Sequence, residues 1–315
     1  MENAIRHPRS EDIPVLKSIW KSVFEEDDYE VFFQHYFDPE FCFVADGDGD
    51  RPAASGYLFP AGRLISDNTS VPCAMIYAVA TLPEYRSRGF ATAVVTALIT
   101  TGRAAGFHAI ALCPAEDSLF EYYSARTKLQ DTFFNMEYKL TAQPASGNLP
   151  DLIQTDPEEY GRLRSRLLAG IPHLEPDIRA LFYQEELCSR RGGGLFRADT
   201  PQGTSCAIVE SYPDDSVLIK ELLSPSGDIS NIFPAIAAAF PAAEYIVRIP
   251  AQSAGMQNSG PEEHGAVIIK DVPGSTEPVL RHGIISRFGM LTAPEGIFDA
   301  LGSQKTAPWL CPAFD

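Results

Sequence analysis

Between residues 10 and 24, apolar positions at Leu16, Ile19, Trp20 and Val23 repeat at helical spacing. This predicts an amphipathic helix with Ser10 as N-cap and Pro14 confined to its first turns. An acidic run, Glu25 to Asp28, separates it from an aromatic-rich second helix, Tyr29 to Phe37, which stops where Asp38-Pro39 disfavours helical backbone. The period then falls to two. Phe41 to Ala45 and Ala54 to Phe59 read as a hairpin, followed by a strand pair at about Arg63 to Ile65 and Met75 to Thr81. A helical run from Ala91 to Ala105 and an apolar strand from Ala109 to Cys113 follow.

The segment Gln143 to Pro150 has the composition of a linker, and beyond it part of this plan returns. Helices are predicted from Pro157 to Leu168 and Pro176 to Cys188, then strands from Cys206 to Ser211 and Ser216 to Leu223, a helix from Asp228 to Phe240, and a strand from Glu244 to Ile249. Gly192 to Gly194 precede a strand rather than a helix and are expected to form a hairpin turn. The expected architecture is α+β, with mixed, mostly antiparallel sheets flanked by helices. Its parts are residues 1–142, a linker at 143–150 and a second unit at 151–315.

A chain of 315 residues that is 45% hydrophobic can bury the cores of two domains. No run of eighteen apolar residues occurs, and Met1 to His7 lack the apolar stretch of a signal peptide, so a cytoplasmic location without a membrane partner is expected. With 25 Lys and Arg against 42 Asp and Glu, the net charge of −17 argues against general nucleic-acid binding and favours a cationic partner. The six cysteines form no C-x-x-C pair and the six histidines are scattered, which predicts packed thiols, no disulfide framework and no metal site. Asp46-Gly47-Asp48-Gly49-Asp50 has the look of a calcium loop. The positions for that loop's glycine and bidentate glutamate hold Arg51 and Tyr57, so a plain turn is expected.

The chemistry concentrates in Glu84-Tyr85-Arg86-Ser87-Arg88-Gly89-Phe90-Ala91-Thr92, between a strand and a helix. Glycine in a helix's first turn lets main chain approach a ligand, the N–H groups there favour an anion, and Arg86 and Arg88 add charge. Ser224-Pro225-Ser226-Gly227-Asp228, at the corresponding place in the second unit, has no arginine and one glycine, so no second anion site is expected.

The spacing Arg86-x-x-Gly89-x-Ala91 in this context resembles the acetyl-CoA pyrophosphate loop of the GNAT N-acetyltransferase superfamily. The order of elements fits that fold, specifically over about residues 1–140 and only architecturally beyond. An intact first unit before a second without the loop resembles the tandem GNAT enzymes of the enhanced-intracellular-survival (Eis) family. Those proteins usually carry a further sterol-carrier-like domain, which this chain is too short to hold in full.

The resemblance implies direct, metal-free transfer of an acetyl group from acetyl-CoA to a primary amine of a small, cationic acceptor. The backbone of Val79, Ala80 and Thr81 would hold the acetyl oxygen and pantetheine, and Arg86, Ser87, Arg88, Gly89, Phe90, Ala91 and Thr92 the pyrophosphate. Ser118 is assigned to the cofactor as well. The segment Ser118 to Arg126 resembles the helix whose tyrosine protonates the departing sulfur, which assigns Tyr123 as general acid, although Thr127-Lys128 stands where relatives have Gly-Phe. Candidates to bind or deprotonate the amine are Glu116, the acidic group Glu25 to Asp28 with Glu30, and the terminal carboxylate of Asp315, the last by analogy with the Eis family. A homo-oligomer is a further expectation. The alternative, drawn from Thr127-Lys128 and the eroded second unit, is a non-catalytic acyl-CoA-binding or sensing protein.

Overall fold

The computed structural model describes residues 5–24, 28–66, 69–141, 148–225, 227, 229–230, 232–250, 266–269, 279–282 and 284–301. In chain order the elements are β1 (Ile5–Arg6), α1 (Ile13–Phe24), α2 (Asp28–His35), β2 (Cys42–Asp46), β3 (Pro52–Ser66), β4 (Thr69–Thr81), α3 (Phe90–Ala104), β5 (Ala109–Leu112), α4 (Asp117–Arg126) and β6 (Gln130–Leu140). They continue with β7 (Ile153–Gln154), α5 (Pro157–Leu167), β8 (His173–Pro176), α6 (Ile178–Arg190), β9 (Gly194–Thr200), β10 (Gly203–Tyr212), β11 (Ser216–Leu223), α7 (Phe233–Ala239) and β12 (Glu244–Pro250). Last come β13 (Ala266–Ile269), β14 (Val279–His282), β15 (Ile284–Thr292) and α8 (Glu295–Ala300).

A 13-stranded sheet runs in the order β1-β2-β3-β4-β5-β15-β6-β12-β11-β10-β9-β7, with β8 added to β3; β13 and β14 form a separate ribbon. Two pairs in it are parallel, β4 with β5 and β11 with β12, each joined through a crossover that contains α3 or α7. The remaining pairs are antiparallel. One face packs against α1, α2, α5 and α6 through Leu16, Trp20, Phe32, Tyr183 and Tyr160. The other packs against α3, α4 and α7 through Val94, Leu98, Phe120 and Ile236. This is the mixed, mostly antiparallel α+β arrangement expected.

Strands cross the midline of the chain. β15, from the C-terminal part, lies between β5 and β6, with Met290 opposite Leu112 and Ile285 opposite Met136. β6, from the N-terminal part, closes β12, with Tyr138 opposite Val247. Each part is thus completed by the last strand of the other.

The first helix begins later than its period implies. Ser10–Asp12 form a 3-10 turn, and Arg9 rather than Ser10 occupies the cap. The Asp12 carboxylate accepts from the Arg9 N–H at 2.7 Å and from Arg6 at 2.6 Å, which competes out the serine cap. The strands expected at 54–59 and 63–65 are one, because Gly62 at φ 130° bends β3 without ending its pairing. A Cβ at Gly62 would collide with the Glu175 carbonyl of β8. Gly192 to Gly194 make no hairpin. The Gly193 N–H closes α6 onto the Cys188 carbonyl at 2.8 Å, and β9 starts at Gly194 so close to β10 that a Cβ on Gly193 would collide with the Val209 carbonyl. α7 occupies only the second half of the helix expected over 228–240. Of the expected linker, residues 148–150 are described.

β11 reads as an apolar run, yet Lys220 and Glu221 are both buried in it. A register shift opposite Lys220 lets consecutive side chains find partners. Glu221 takes Arg164 Nε at 3.0 Å and the Tyr160 hydroxyl at 2.6 Å. Lys220 lies 3.4 Å from Glu210, which also binds Arg191 at 3.1 Å and the Tyr212 hydroxyl at 2.6 Å. Burial works against the charged Glu210, but Lys220, Arg191 and Tyr212 outweigh it and hold its pKa down to about 2.

Candidate active site

β4 and β5 pair only from Cys73 to Ile76, opposite Ala109 to Leu112. β4 continues to Thr81 against β3, and among the described residues no strand pairs with the other edge of Ala78 to Thr81, past the point where β4 and β5 part. Ala78 sits in this stretch at φ 47°, a left-handed conformation that costs a non-glycine residue about 1–2 kcal/mol. Pairing passes from Tyr77 opposite Tyr57 to Ala80 opposite Ser55, so Ala78 and Val79 together face Gly56 in a β-bulge. A Cβ on Gly56 would meet Val94 of α3 at 2.8 Å and Val79 at 3.3 Å. Glycine there lets α3 press close behind the bulge. Val79, Ala80 and Thr81, which the family resemblance assigns to the thioester, lie just past the left-handed Ala78, beyond the end of the β4–β5 pairing.

The chain leaves β4 through a 3-10 turn, Pro83–Tyr85, and the Arg86 N–H is used there, bonded to the Pro83 carbonyl at 3.2 Å. Ser87 at φ 63° and Gly89 at φ 83° then turn it into α3, with Gly89 at the cap and no side chain closing it. The first helical bond runs from the Ala93 N–H to the Gly89 carbonyl at 3.1 Å. Among the described residues, the N–H groups of Gly89, Phe90, Ala91 and Thr92 meet no acceptor. Four donors at the positive end of a fifteen-residue helix are suited to hold an anion, and among the described residues a Cβ on Gly89 would meet nothing within 4 Å.

Arg86 and Arg88 are exposed beside it, Arg86 Nε at 3.4 Å from the Thr81 carbonyl and the Arg88 guanidinium 4.9 Å from the Tyr85 ring centre. Tyr85 rests on Gly47, where a Cβ would approach its ring to 2.6 Å, and its hydroxyl donates to Asp48 at 3.2 Å. Asp46 is committed to Arg6 at 2.7 Å. The Asp-Gly turn at 46–50 therefore supports the loop, as a plain turn. Among the described residues no group of three or more His, Cys, Asp or Glu could hold a metal ion.

α4 is tied to this loop by a residue the sequence reading passed over. The Tyr122 hydroxyl lies 2.8 Å from Thr92 Oγ1, joining the middle of α4 to the first turn of α3. Tyr123 is 5% exposed, packed among Phe90, Val94 and Phe120, and burial together with Tyr122 pushes its phenol well above the usual range. It stays protonated. Thr127 is extended and well bonded: its N–H and hydroxyl both donate to the Tyr123 carbonyl, at 2.8 and 2.7 Å, and the hydroxyl accepts from the Leu129 N–H at 3.2 Å. β6 follows at once, with no inserted loop. Glu116 is the exposed N-cap of α4 and receives the Ser118 hydroxyl at 3.4 Å. Asp28 is taken by Arg191 of the C-terminal part at 2.6 Å, and Glu30 lies 3.9 Å from Arg190. Asp315 and Glu25 to Asp27 lie outside the described residues.

Residues 4–126 match the family model of the acetyltransferase (GNAT) domain. No curated protein matches the chain. Among solved structures, a GCN5-related N-acetyltransferase from Anabaena variabilis is similar at TM-score 0.63 and 15% identity, over 91% of this chain and 72% of its own. Eis1 from Mycobacterium abscessus is similar at 0.59 and 12%, over 92% and 73%. An acetyltransferase described as putative, from Pyrococcus horikoshii, is similar at 0.59 and 17%, over 100% and 97%. At these identities the likeness is one of fold. The chain has the fold of the GNAT acetyltransferases, and residues 4–126 match the model of their domain.

Proposed function

We propose that the protein is a tandem GNAT enzyme, with units at 1–142 and 151–315, which transfers an acetyl group from acetyl-CoA to a primary amine of a small acceptor. The observation that carries this reading is the row of N–H groups from Gly89 to Thr92, which meet no acceptor among the described residues, beside the bulged end of β4. The first cradles a pyrophosphate and the second offers main-chain donors to a thioester carbonyl. The amine nitrogen attacks that carbonyl, forming the C–N bond as the C–S bond breaks. Its surplus proton passes to a base, for which Glu116 and the Asp315 carboxylate are the assigned groups. Tyr123, kept protonated by burial, donates to the departing sulfur.

Acetyl-CoA is expected to raise the melting temperature of the wild type. Arg88→Glu reverses charge at the loop, and Gly89→Val forces a β-branched residue into φ 83°. Each is expected to weaken coenzyme A binding by at least about a hundredfold, removing the shift. An undiminished shift in both variants would rule the loop out. Tyr123→Phe is expected to lower kcat by about a hundredfold with acetyl-CoA affinity retained, the usual scale for a lost proton donor. Equal turnover would reduce Tyr123 to packing, and coenzyme A binding without turnover of any amine would favour the sensing alternative.

A further inference from the structure

Tyr77 is the residue immediately before the left-handed Ala78, one position past the last β4 residue paired with β5. α3 and its anion cradle lie on one face of the sheet, with Val94 and Leu98. The Tyr77 ring lies on the opposite face, 5.5 Å from Trp20 and 5.6 Å from Phe32. A thioester carried by the cradle and threaded through the gap between β4 and β5 therefore emerges beside Tyr77. That side chain is half-buried, and its hydroxyl lies 3.0 Å from the hydroxyl of Tyr183, which is fully buried.

Tyr183 belongs to α6, in the C-terminal part, and α6 is fixed against α2 on either side of it. On one side the Tyr36 hydroxyl donates to the Arg179 carbonyl and Arg179 to the His35 carbonyl, both at 3.0 Å. On the other, Arg191 holds Asp28 at 2.6 Å. Around the hydroxyl pair are rings: Trp20 and Phe32 on Tyr77, and Tyr36 at 4.7 Å and Phe59 at 5.9 Å on Tyr183. Burial, with Tyr77 and Asp28 beside it, pushes the Tyr183 phenol well above its usual range. Phenol hydroxyls offer hydrogen bonds without charge, which suits the uncharged amine that attack requires, and their rings favour an apolar body next to the nitrogen.

We infer that Tyr77 binds the acceptor amine where the thioester emerges, and that Tyr183 of the C-terminal part positions it, so that the part lacking an anion loop supplies a component of the transfer site. The proposal rests on the acetyltransferase reading. It gives the C-terminal part a role in catalysis that needs no cofactor of its own. It also selects acceptors with an alkyl or aromatic group beside the amine over highly charged ones, since Asp28 is already neutralised by Arg191.

The test uses the full chain, thiol release with a panel of alkyl, aralkyl and polycationic amines, and acetyl-CoA affinity by calorimetry. Tyr77→Phe is expected to raise KM for the best amine about fivefold, the worth of a neutral hydrogen bond, with acetyl-CoA affinity unchanged. Tyr183→Phe is expected to raise it about threefold, and the double variant to be no worse than Tyr77→Phe, because Tyr183 acts through Tyr77. A structural role alone would lower the melting temperature and leave this coupling at zero. Unchanged KM in Tyr77→Phe, effects that multiply in the double variant, or a preference for polycations would each overturn the inference while the acetyltransferase reading stands. Coenzyme A binding with no amine turned over would overturn both.

Discussion

Replacing Glu221 with alanine is expected to cost about 3–5 kcal/mol of stability. The reason is asymmetric. Arg164 and Glu221 are both 0% exposed, and the carboxylate takes Arg164 Nε through both of its oxygens at 3.0 Å while accepting the Tyr160 hydroxyl. Without it, the buried guanidinium loses its nearest counter-charge, keeping the Leu174 carbonyl at 2.9 Å and a longer contact to Glu175 at 3.6 Å. Two controls separate charge from packing. Glu221→Gln keeps shape and one acceptor and should cost less. Replacing the pair together by leucine and methionine should recover most of the loss, since the cost lies in stranding one charge rather than in lacking the pair. Urea unfolding reads all three; an alanine variant within about 1 kcal/mol of wild type would show that solvent or another group compensates Arg164.

The second expectation concerns the exchanged strands. A chain ending at residue 141 contains the whole anion loop, the bulge and α4, yet it is expected to give no cooperatively folded protein. β15 supplies Met290 and Leu291, both 0% exposed, and Phe288 at 7%, to the centre of the N-terminal core. It also pairs on one side with β5 and on the other with β6. Removing it leaves two apolar strands in mid-sheet with unpaired edges, a strong template for aggregation. Co-expression with residues 148–315 should restore soluble, folded material. A fragment 1–141 that stays monomeric and melts in one sharp transition would establish the first unit as self-sufficient.

How far the sequence was legible follows from the range of each interaction. The anion loop depends on neighbours within a few positions: Gly89 for the turn, the arginines for charge, and the period of α3 after them. It could be read directly. Ala78 could not, because a bulge exists only relative to the partner strand, and its signal, Gly56, lies far upstream in a run that reads as ordinary strand. Lys220 and Glu221 look like solvent-facing positions. Only α5, β10 and α6 together make them interior. β9, with Arg197 and Asp199, lacks the apolar alternation that marks a strand, and β15 gives no local hint that it belongs beside β5. Tyr122 was overlooked because its neighbour better fits the family pattern, although its hydroxyl is the one that reaches the loop.

The position of β15 bears on the order in which the protein can mature. During synthesis the entire N-terminal sequence has left the ribosome well before Met290 exists to pair with Leu112. Until β15 is made, β5 and β6 stand without the strand between them, and long-range closure of this kind is slow. Chains interrupted before β15 therefore leave β5 and β6 without the strand that joins them.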